Sequence, residues 1–260
     1  MSLFEKYPVL GIPVVATRYP EVMAKLEQWA TSKDRAYGVT FADASNITRG
    51  RHEPEFGSKL RKLDAVMPDG RPVLWGVNRH LSGEAKLTER VSGPDMFRRF
   101  QEYSNARPHL KHYYLGGSDR LLADLVKTAR QECPNICIVG SYSPPFREWT
   151  AEDLQLMRDQ IAASCASVVW VGLGCPKQER WIADNLSTLP PAIYMGVGAA
   201  FAFYTGQVKR APRWMQKSGI EWVHRMISEP RRLWKRYFVY NSLFIYYSLR
   251  DAICGSRSTS

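Results

Sequence analysis

The segment from Ser167 to Trp181 constrains the fold most, because it combines a buried strand, a glycine turn and a helix start. The apolar run Val168 to Val171 is typical of a strand covered on both faces, as in a parallel sheet. Gly172 and Gly174 allow a sharp turn and a close backbone approach to a ligand. Pro176 suits the first position of a helix whose free amides face an anion. The segment predicts a phosphate-binding turn, with an ordinary strand-to-helix turn as the alternative.

The side chains that follow this turn distinguish it from a dinucleotide site. Lys177 and Gln178 add side-chain donors beside the predicted phosphate. Lys177 also occupies the third glycine position of the dinucleotide-binding fingerprint, and an acidic ribose contact at a convincing spacing is missing. These departures weaken the alternative of a nicotinamide-dependent oxidoreductase.

The first 208 residues alternate strand-like and helix-like segments. Predicted strands cover 9–16, 37–41, 65–67, 112–115, 136–140, 168–171 and 193–197, and predicted helices include 21–30, 94–103, 119–132 and one capped by Thr150 and Asp153. This alternation predicts a Rossmann-like α/β fold with a mainly parallel, doubly wound sheet. Such sheets bind ligands at the carboxyl ends of their strands. Small residues expected together at that edge are Gly116, Gly117, Ser141, Gly172 and Gly198.

Charge and aromatic content change after residue 208. The 260-residue chain has a net charge of +11, which indicates an anionic partner such as nucleic acid, a phospholipid surface or a phosphorylated substrate. Basic and aromatic residues dominate 209–250, and the apolar run 239–249 is shorter than the roughly 20 residues of a spanning helix. We predict a catalytic core, 1–208, and a basic, aromatic-rich helical C-terminal appendage, 209–260, lying at a membrane interface. A helix packed on the core and a nucleic-acid-binding surface are the alternatives.

The N-terminal segment and the cysteines of the chain favour a cytoplasmic location. Pro8 and Pro13 interrupt the apolar part of the N-terminus, which is unlike a signal peptide. Five cysteines without a C-x-x-C pair suit reduced thiols. The sequence also has neither an H-E-x-x-H nor a D-x-D motif, so we predict no metal and no cofactor.

Polar residues after two predicted strands are the candidates for chemistry. Asp69 lies between a short apolar strand and Gly70, where a carboxylate can take a proton from a substrate hydroxyl or cap the next helix. Asp43 and Asn46 follow the second strand and are expected to face the same cleft, although Asp43 also suits a helix cap. Arg90 is a candidate anion ligand or a surface charge.

Six segments together resemble the WecG/TagA/CpsF family of bacterial glycosyltransferases, glycosyltransferase family 26. They are MPDGRPVLW (67–75), ERVSGPDMF (89–97), YYLGG (113–117), VWVGLGCPKQERW (169–181), MGVGAAFAFYTGQVKRAPRWMQKSGIEWVHRM (195–226) and EPRRLWKRY (229–237). The resemblance implies a metal-independent, inverting transferase with a Rossmann-like core. Such enzymes move a sugar, usually UDP-linked, onto a polyprenyl-diphosphate-linked sugar at the cytoplasmic face of the inner membrane.

By position, the resemblance also implies roles for individual residues. Asp69 matches the proposed catalytic base, Arg90 an active-site arginine and Gln178 a pocket glutamine. The UDP diphosphate is expected near Gly116, the turn 172–178 and Gly198. Arginines of the appendage segment implied to hold the lipid diphosphate are Arg225, Arg231, Arg232 and Arg236.

Finer features favour an exopolysaccharide branch of the family. The loop SYSPPF and the turn GCPKQE are more similar to that branch than to the teichoic acid branch, which implies glucose transfer onto polyprenyl-diphosphate glucose. Transfer of N-acetylmannosamine or its uronic acid onto polyprenyl-diphosphate N-acetylglucosamine is the alternative. One departure is that Phe41 and Asp43 stand where many members carry Thr-x-Asn, with Thr40 adjacent but out of register.

Overall fold

The computed structural model describes residues 4–218, 220–228 and 230–255. Within that part it leaves undescribed the side chains of Arg213, Lys217, Arg225, Ser228, residues 230–237, Ala252 and Cys254. After a hairpin, β1 (Lys6–Val9) and β2 (Ile12–Val15), the sheet strands are β3 (Tyr37–Ala42), β4 (Ala65–Pro68), β5 (Lys111–Leu115), β6 (Cys137–Tyr142), β7 (Val168–Val171) and β8 (Ile193–Gly196). The six strands β3 to β8 form one parallel sheet in the order β4-β3-β8-β7-β5-β6.

Helices cover both faces of this sheet. They are α1 (Tyr19–Ser32), α2 (Ala44–His52), α3 (Pro54–Lys62), α4 (Arg71–Asn78), α5 (Gly93–Ser104), α6 (Asp119–Glu132), α7 (Ala151–Ser164), α8 (Lys177–Asn185) and α9 (Ala200–Tyr204). One buried cluster joins Val169 and Val171 to α2, α3, α4, α7 and α8. The other joins Val168 and Trp170 to α1, α5, α6 and α9. Because successive strand residues point to opposite faces, these clusters lie on the two sides of the sheet. The predicted Rossmann-like, doubly wound α/β fold is confirmed.

Local capping signals determine several helix boundaries. Helix α6 has the predicted bounds, and the Ser118 hydroxyl accepts a hydrogen bond from the Leu121 amide at 3.2 Å. Thr150 and Asp153 form the predicted capping box, in which the Thr150 amide donates to the Asp153 carboxylate at 2.8 Å. Short polar side chains at these positions therefore identify where the helices begin.

Two local predictions are wrong. The predicted strand 9–16 is interrupted by the turn of the β1–β2 hairpin. Leu10 and Gly11 form this turn with positive φ angles of 48° and 79°, and Val9 pairs with Ile12 across it. Leu10 and Ile12 are both buried, so the apolar pattern runs through the turn and hides the chain reversal. Pro176 is the N-cap of α8, not its first residue, because its ψ of 2° belongs to the turn before the helix.

The segment after residue 208 forms α10 (Arg213–Ser218), α11 (Glu221–Ser228) and α12 (Pro230–Gly255). Helix α12 packs against α2, where the Tyr240 hydroxyl donates to Glu53 at 2.7 Å and Arg51 pairs with Asp251 at 2.5 Å. Phe244 is 9% exposed and belongs to the same buried cluster as α2. In the described part of the chain, no helix has the length and apolarity needed to cross a membrane. One face of α12 thus joins the core.

Candidate active site

A cleft of about 1560 Å³ opens at the carboxyl edge of the sheet. Four adjacent strands of the sheet each deliver a lining residue after they end: Asp69 after β4, Asp43 after β3, Gly198 after β8 and Gly172 after β7. Helices α4 and α12 extend the cleft outward through Trp75, Ile245 and Leu249, among others. This is the edge at which parallel sheets bind ligands.

Asp69 lies in the turn between β4 and α4. Its backbone amide donates to the Ala42 carbonyl at 3.0 Å, which continues the pairing of β4 with β3. Gly70, with φ of 136°, is the N-cap of α4, so the Asp69 side chain is not the cap of that helix. The carboxylate instead accepts from the Gly93 amide at 3.2 Å and lies 3.5 Å from Arg90 Nη1.

The surroundings of Asp69 make it a stronger base than an exposed aspartate. Burial raises the pKa of Asp69 to about 6, against the lowering effects of Arg90 and the Gly93 amide. Glu221 and Asp43 raise this pKa further by charge repulsion. With 21% of its side chain still exposed, Asp69 remains accessible from the cleft. A carboxylate with these properties is suited to general base catalysis.

Arg90 belongs to a network of alternating charges that reaches α11. Its Nη2 lies 2.5 Å from Glu221, and Glu221 accepts from Arg210 Nε at 3.2 Å. Arg210 then pairs with Asp95 in the first turn of α5 through two hydrogen bonds. We call Asp69, Arg90, Glu221 and Arg210 the Asp69 wall. Sequence reasoning missed Glu221 and Arg210 as site residues, although Glu221 is a rare acid in a basic segment.

Gln178 forms the opposite wall through hydrogen bonds that involve the Gly198 amide and the buried carboxylate of Glu179. Its Oε1 accepts from the Gly198 amide and its Nε2 donates to Glu179 Oε1, both at 2.9 Å. The hydroxyl of Thr40 donates to the same Glu179 oxygen at 2.9 Å. We call Gln178, Glu179, Thr40 and Gly198 the Gln178 wall. It fixes the turn after β7 against the turn after β8, and it explains the position of Thr40, which is buried beneath the cleft.

The turn after β7 has the features expected of a close backbone approach. A Cβ on Gly172 would lie 2.5 Å from the Phe201 ring, and Gly174 has φ of 78°. Lys177 lies at the start of α8 with its ammonium 3.6 Å from the centre of the Trp149 ring. Both glycines and Lys177 line the cleft.

Asp43 and Asn46 line the cleft and also stabilise α2. Asp43 caps the helix by accepting from the Asn46 amide at 2.9 Å and from the Ser45 hydroxyl at 2.7 Å. The Asn46 side-chain oxygen accepts from the Cys175 thiol at 2.9 Å. Asp43 therefore caps α2 and also lines the cleft, as both interpretations of its position predict.

Three predicted donor-binding residues lie apart from this cleft. Gly116 packs against Gly172, where an added Cβ would lie 2.8 Å from the carbonyl carbon. Ser141 borders a second groove of about 750 Å³ with Lys127 and Arg130 on α6. Neither Gly116, Gly117 nor Ser141 is among the described residues that line the main cleft. Their contact with a donor stays a prediction.

Residues 7–258 match the family model described as the glycosyl transferase WecG/TagA/CpsF family. The chain belongs to this family. It is therefore a glycosyltransferase, and membership supports transfer involving a polyprenyl-linked sugar in general terms. This family membership favours glycosyl transfer over the two alternative functions, nucleic-acid binding and nicotinamide-dependent oxidoreduction.

The remaining predicted WecG/TagA/CpsF site residues lie in the C-terminal helices. The side chains of Arg225, Arg231, Arg232 and Arg236 lie outside the described part of the structure. Described residues of α12 that line the cleft are Asn241, Phe244, Ile245, Ser248, Leu249 and Asp251. Among the described residues, no three His, Cys, Asp or Glu side chains form a group that could hold a metal ion.

Proposed function

We propose that this protein transfers a sugar from a UDP-sugar to a polyprenyl-diphosphate-linked sugar, with inversion and without a metal ion. The observation that carries the proposal is Asp69, a partly buried carboxylate with a pKa of about 6 at the carboxyl edge of the sheet. Within a glycosyltransferase family, such a group at such a place is suited to activate an acceptor hydroxyl. We place the protein in the exopolysaccharide branch, with glucose as the transferred sugar and polyprenyl-diphosphate glucose as the acceptor.

The proposed reaction is a single displacement. Asp69 removes the proton of the acceptor hydroxyl as that oxygen attacks the anomeric carbon of the donor sugar. The bond from this carbon to the UDP oxygen breaks on the opposite face, so the configuration inverts. The electron pair of that bond leaves with UDP, whose added negative charge is stabilised by the N-terminus of α8 and the ammonium of Lys177.

The two walls of the cleft suggest where each substrate lies. We assign the donor diphosphate to the Gln178 wall, since Gly172, Gly174 and Lys177 line the cleft beside it. We assign the acceptor sugar to the Asp69 wall. The predicted donor contacts of Gly116, Gly117 and Ser141 remain outside this cleft and are not needed for the displacement.

The outer part of the cleft supports a lipid-linked acceptor. Trp75 on α4 is 60% exposed, and Ile245 and Leu249 on α12 are 61% and 60% exposed, although all three line the cleft. Arg71 and Arg79 lie four residues before and after Trp75 and line the same cleft. Apolar area next to cations matches an acceptor that has an anionic diphosphate and an apolar chain.

The location and the organisation of the chain follow from the same proposal. We assign residues 1–208 to catalysis and residues 209–260 to an appendage that binds the acceptor and the anionic cytoplasmic surface of the inner membrane. Exposed apolar side chains on α12, such as Phe238 at 71% and Ile253 at 60%, support an interfacial helix. The acceptor diphosphate is assigned to Arg225, Arg231, Arg232 and Arg236 of this segment.

The proposal is tested by measuring UDP release from a panel of UDP-sugars with polyprenyl-diphosphate glucose and polyprenyl-diphosphate N-acetylglucosamine as acceptors. We expect release with UDP-glucose and the glucose acceptor, unchanged by EDTA. Release only with UDP-N-acetylmannosamine or its uronic acid and the other acceptor would establish the alternative branch. Loss of release in EDTA would overturn metal independence, and no release with any pair would overturn the substrate assignment.

A further inference from the structure

Arg90 lies between two carboxylates and binds them unequally. Its Nη1 is 3.5 Å from Asp69 Oδ1, a distance typical of a loose ion pair, whereas its Nη2 is 2.5 Å from Glu221 Oε2. Asp69, Arg90 and Glu221 have side chains that are only 21%, 14% and 13% exposed. Water and salt screen charges weakly at such positions. The distances from Arg90 to the two acids therefore affect the free energy of ionising each acid.

Glu221 is held in this position from its other side. Its Oε1 accepts from Arg210 Nε at 3.2 Å, and Arg210 is itself anchored by Asp95 and by the Ser92 hydroxyl at 3.5 Å. Glu221 is also the first residue of α11. The carboxylate therefore cannot follow Arg90 toward Asp69 without breaking its contact with Arg210.

The closer contact of Arg90 with Glu221 than with Asp69 determines how basic Asp69 is. A guanidinium in close contact with a carboxylate favours the ionised form strongly and makes that carboxylate a weak base. At 3.5 Å, Arg90 offsets only part of the effect of burial on Asp69. The other groups that act on Asp69 are Glu221 and Asp43, which repel its charge, and the Gly93 amide, which stabilises it.

We propose that Glu221 is a positioning residue for Asp69. By binding Arg90 closely, Glu221 prevents a tight pair between Arg90 and Asp69 and keeps the Asp69 carboxylate able to accept a proton. The segment after residue 208 thereby controls the basicity of a side chain in the core. This inference uses the proposed role of Asp69 as the base, but the control of its basicity does not depend on the identity of the substrates.

The test is a carbon-13 NMR titration of the aspartate carboxyl groups in the full chain, without substrate. Asp69→Asn identifies the Asp69 signal. In Glu221→Gln, removal of a negative charge and release of Arg90 act in the same direction, so we expect the pKa of Asp69 to fall by about one unit or more. Glu89→Gln is the matched control, because Glu89 precedes Arg90 but pairs with Arg99 and is 59% exposed. This control should leave the Asp69 signal unchanged.

A second variant keeps the test decisive if Glu221→Gln does not fold. Glu221→Asp retains the charge but shortens the side chain, so it cannot hold Arg90 and Arg210 together, and we expect a smaller fall of the same sign. An unchanged or raised Asp69 pKa in the folded variant would overturn the proposal. The pH below which kcat/KM falls, the acid limb of the profile, should shift together with the Asp69 pKa measured by NMR.

If the NMR pKa of Asp69 falls while the acid limb of kcat/KM does not shift, Glu221 still positions Asp69, but Asp69 is not the base.

Discussion

The two walls of the cleft are held together by different physical means. In the Gln178 wall, the Gln178 amide, the Thr40 hydroxyl and the Gly198 N–H form hydrogen bonds at 2.9 Å, and the buried Glu179 carboxylate accepts two of them. In the Asp69 wall, Arg90 forms ion pairs with both Asp69 and Glu221. Glu221 is 131 residues from Arg90 in the sequence. The Gln178 wall is thus held by hydrogen bonds from neutral donors, whereas the Asp69 wall is held by ion pairs. Because burial raises the pKa of Asp69 to about 6, a change of pH near neutrality alters the charge of the Asp69 wall.

The largest expected effect separates chemistry from donor binding. Asp69→Asn should lower kcat by roughly 10²–10⁴-fold, because it removes a general base and leaves the Gln178 wall intact. UDP affinity, measured by calorimetry, should stay within about two-fold of the parent. Asp184→Asn is the control, since Asp184 pairs with Lys59 at the surface of α8 and is not among the residues lining the cleft. Parent-like turnover in Asp69→Asn would exclude Asp69 as the base.

The same variant should reveal the energetic strain of the Asp69 wall. Because the folded-state pKa of Asp69, about 6, lies above its ordinary value of 3.8, ionisation of Asp69 destabilises the folded protein as the pH rises from 4 to 7. Asp69→Asn lacks this effect. Its free energy of unfolding relative to the parent should increase by roughly 2–3 kcal/mol over that range. Denaturant unfolding at several pH values measures the difference, and a constant difference would contradict the raised pKa.

The opposite wall should respond to Gln178→Ala in the complementary way. This variant leaves the Gly198 amide and Glu179 without the Gln178 side chain, so we expect a loss of about 1–3 kcal/mol in stability and a comparable loss in UDP binding. The acid limb of the pH profile should not move. Gln155→Ala, at an exposed site on α7, is the control. A shifted acid limb in Gln178→Ala would show that the two walls are coupled.

A smaller effect is expected at the mouth of the cleft. Trp75→Ala should raise KM for a long-chain polyprenyl acceptor by about ten-fold, because part of an aromatic side chain no longer covers the apolar chain. Phe146→Ala is the matched control, as Phe146 is 86% exposed and is not among the residues lining the cleft. The effect should disappear with an acceptor that carries a very short chain. An equal effect on both acceptors would assign Trp75 to the sugar instead.

Local signals in the sequence predicted the fold well. The strand periodicity and caps such as Thr150 depend on neighbours within a few residues, and the structure confirms them. The hairpin at Leu10 and Gly11 was missed because apolar residues continue through the turn. The hydrophobic pattern of the sequence indicates which residues are buried, but it does not indicate that the chain reverses direction between two buried residues.

The candidate site was only partly predictable for a different reason. Asp69 directly follows β4, and Gln178 lies in the first turn of α8 after the glycine turn that follows β7, so their place at the carboxyl edge could be inferred. Ser141 also lies near the end of a strand, but β6 is at the opposite edge of the sheet from β4, and its end borders another groove. The contact between Arg90 and Glu221 joins residues 131 positions apart in the sequence, and no periodicity within either segment predicts such a contact.

The role of Asp69 as the base is tested most directly by the pH dependence of kcat/KM for the parent enzyme, which reports ionisations of the free enzyme. We predict that activity falls below an apparent pKa of about 6, with the slope expected for loss of one ionised group, as Asp69 becomes protonated. A profile that stays flat from pH 7 down to pH 4.5 would contradict Asp69 as the base.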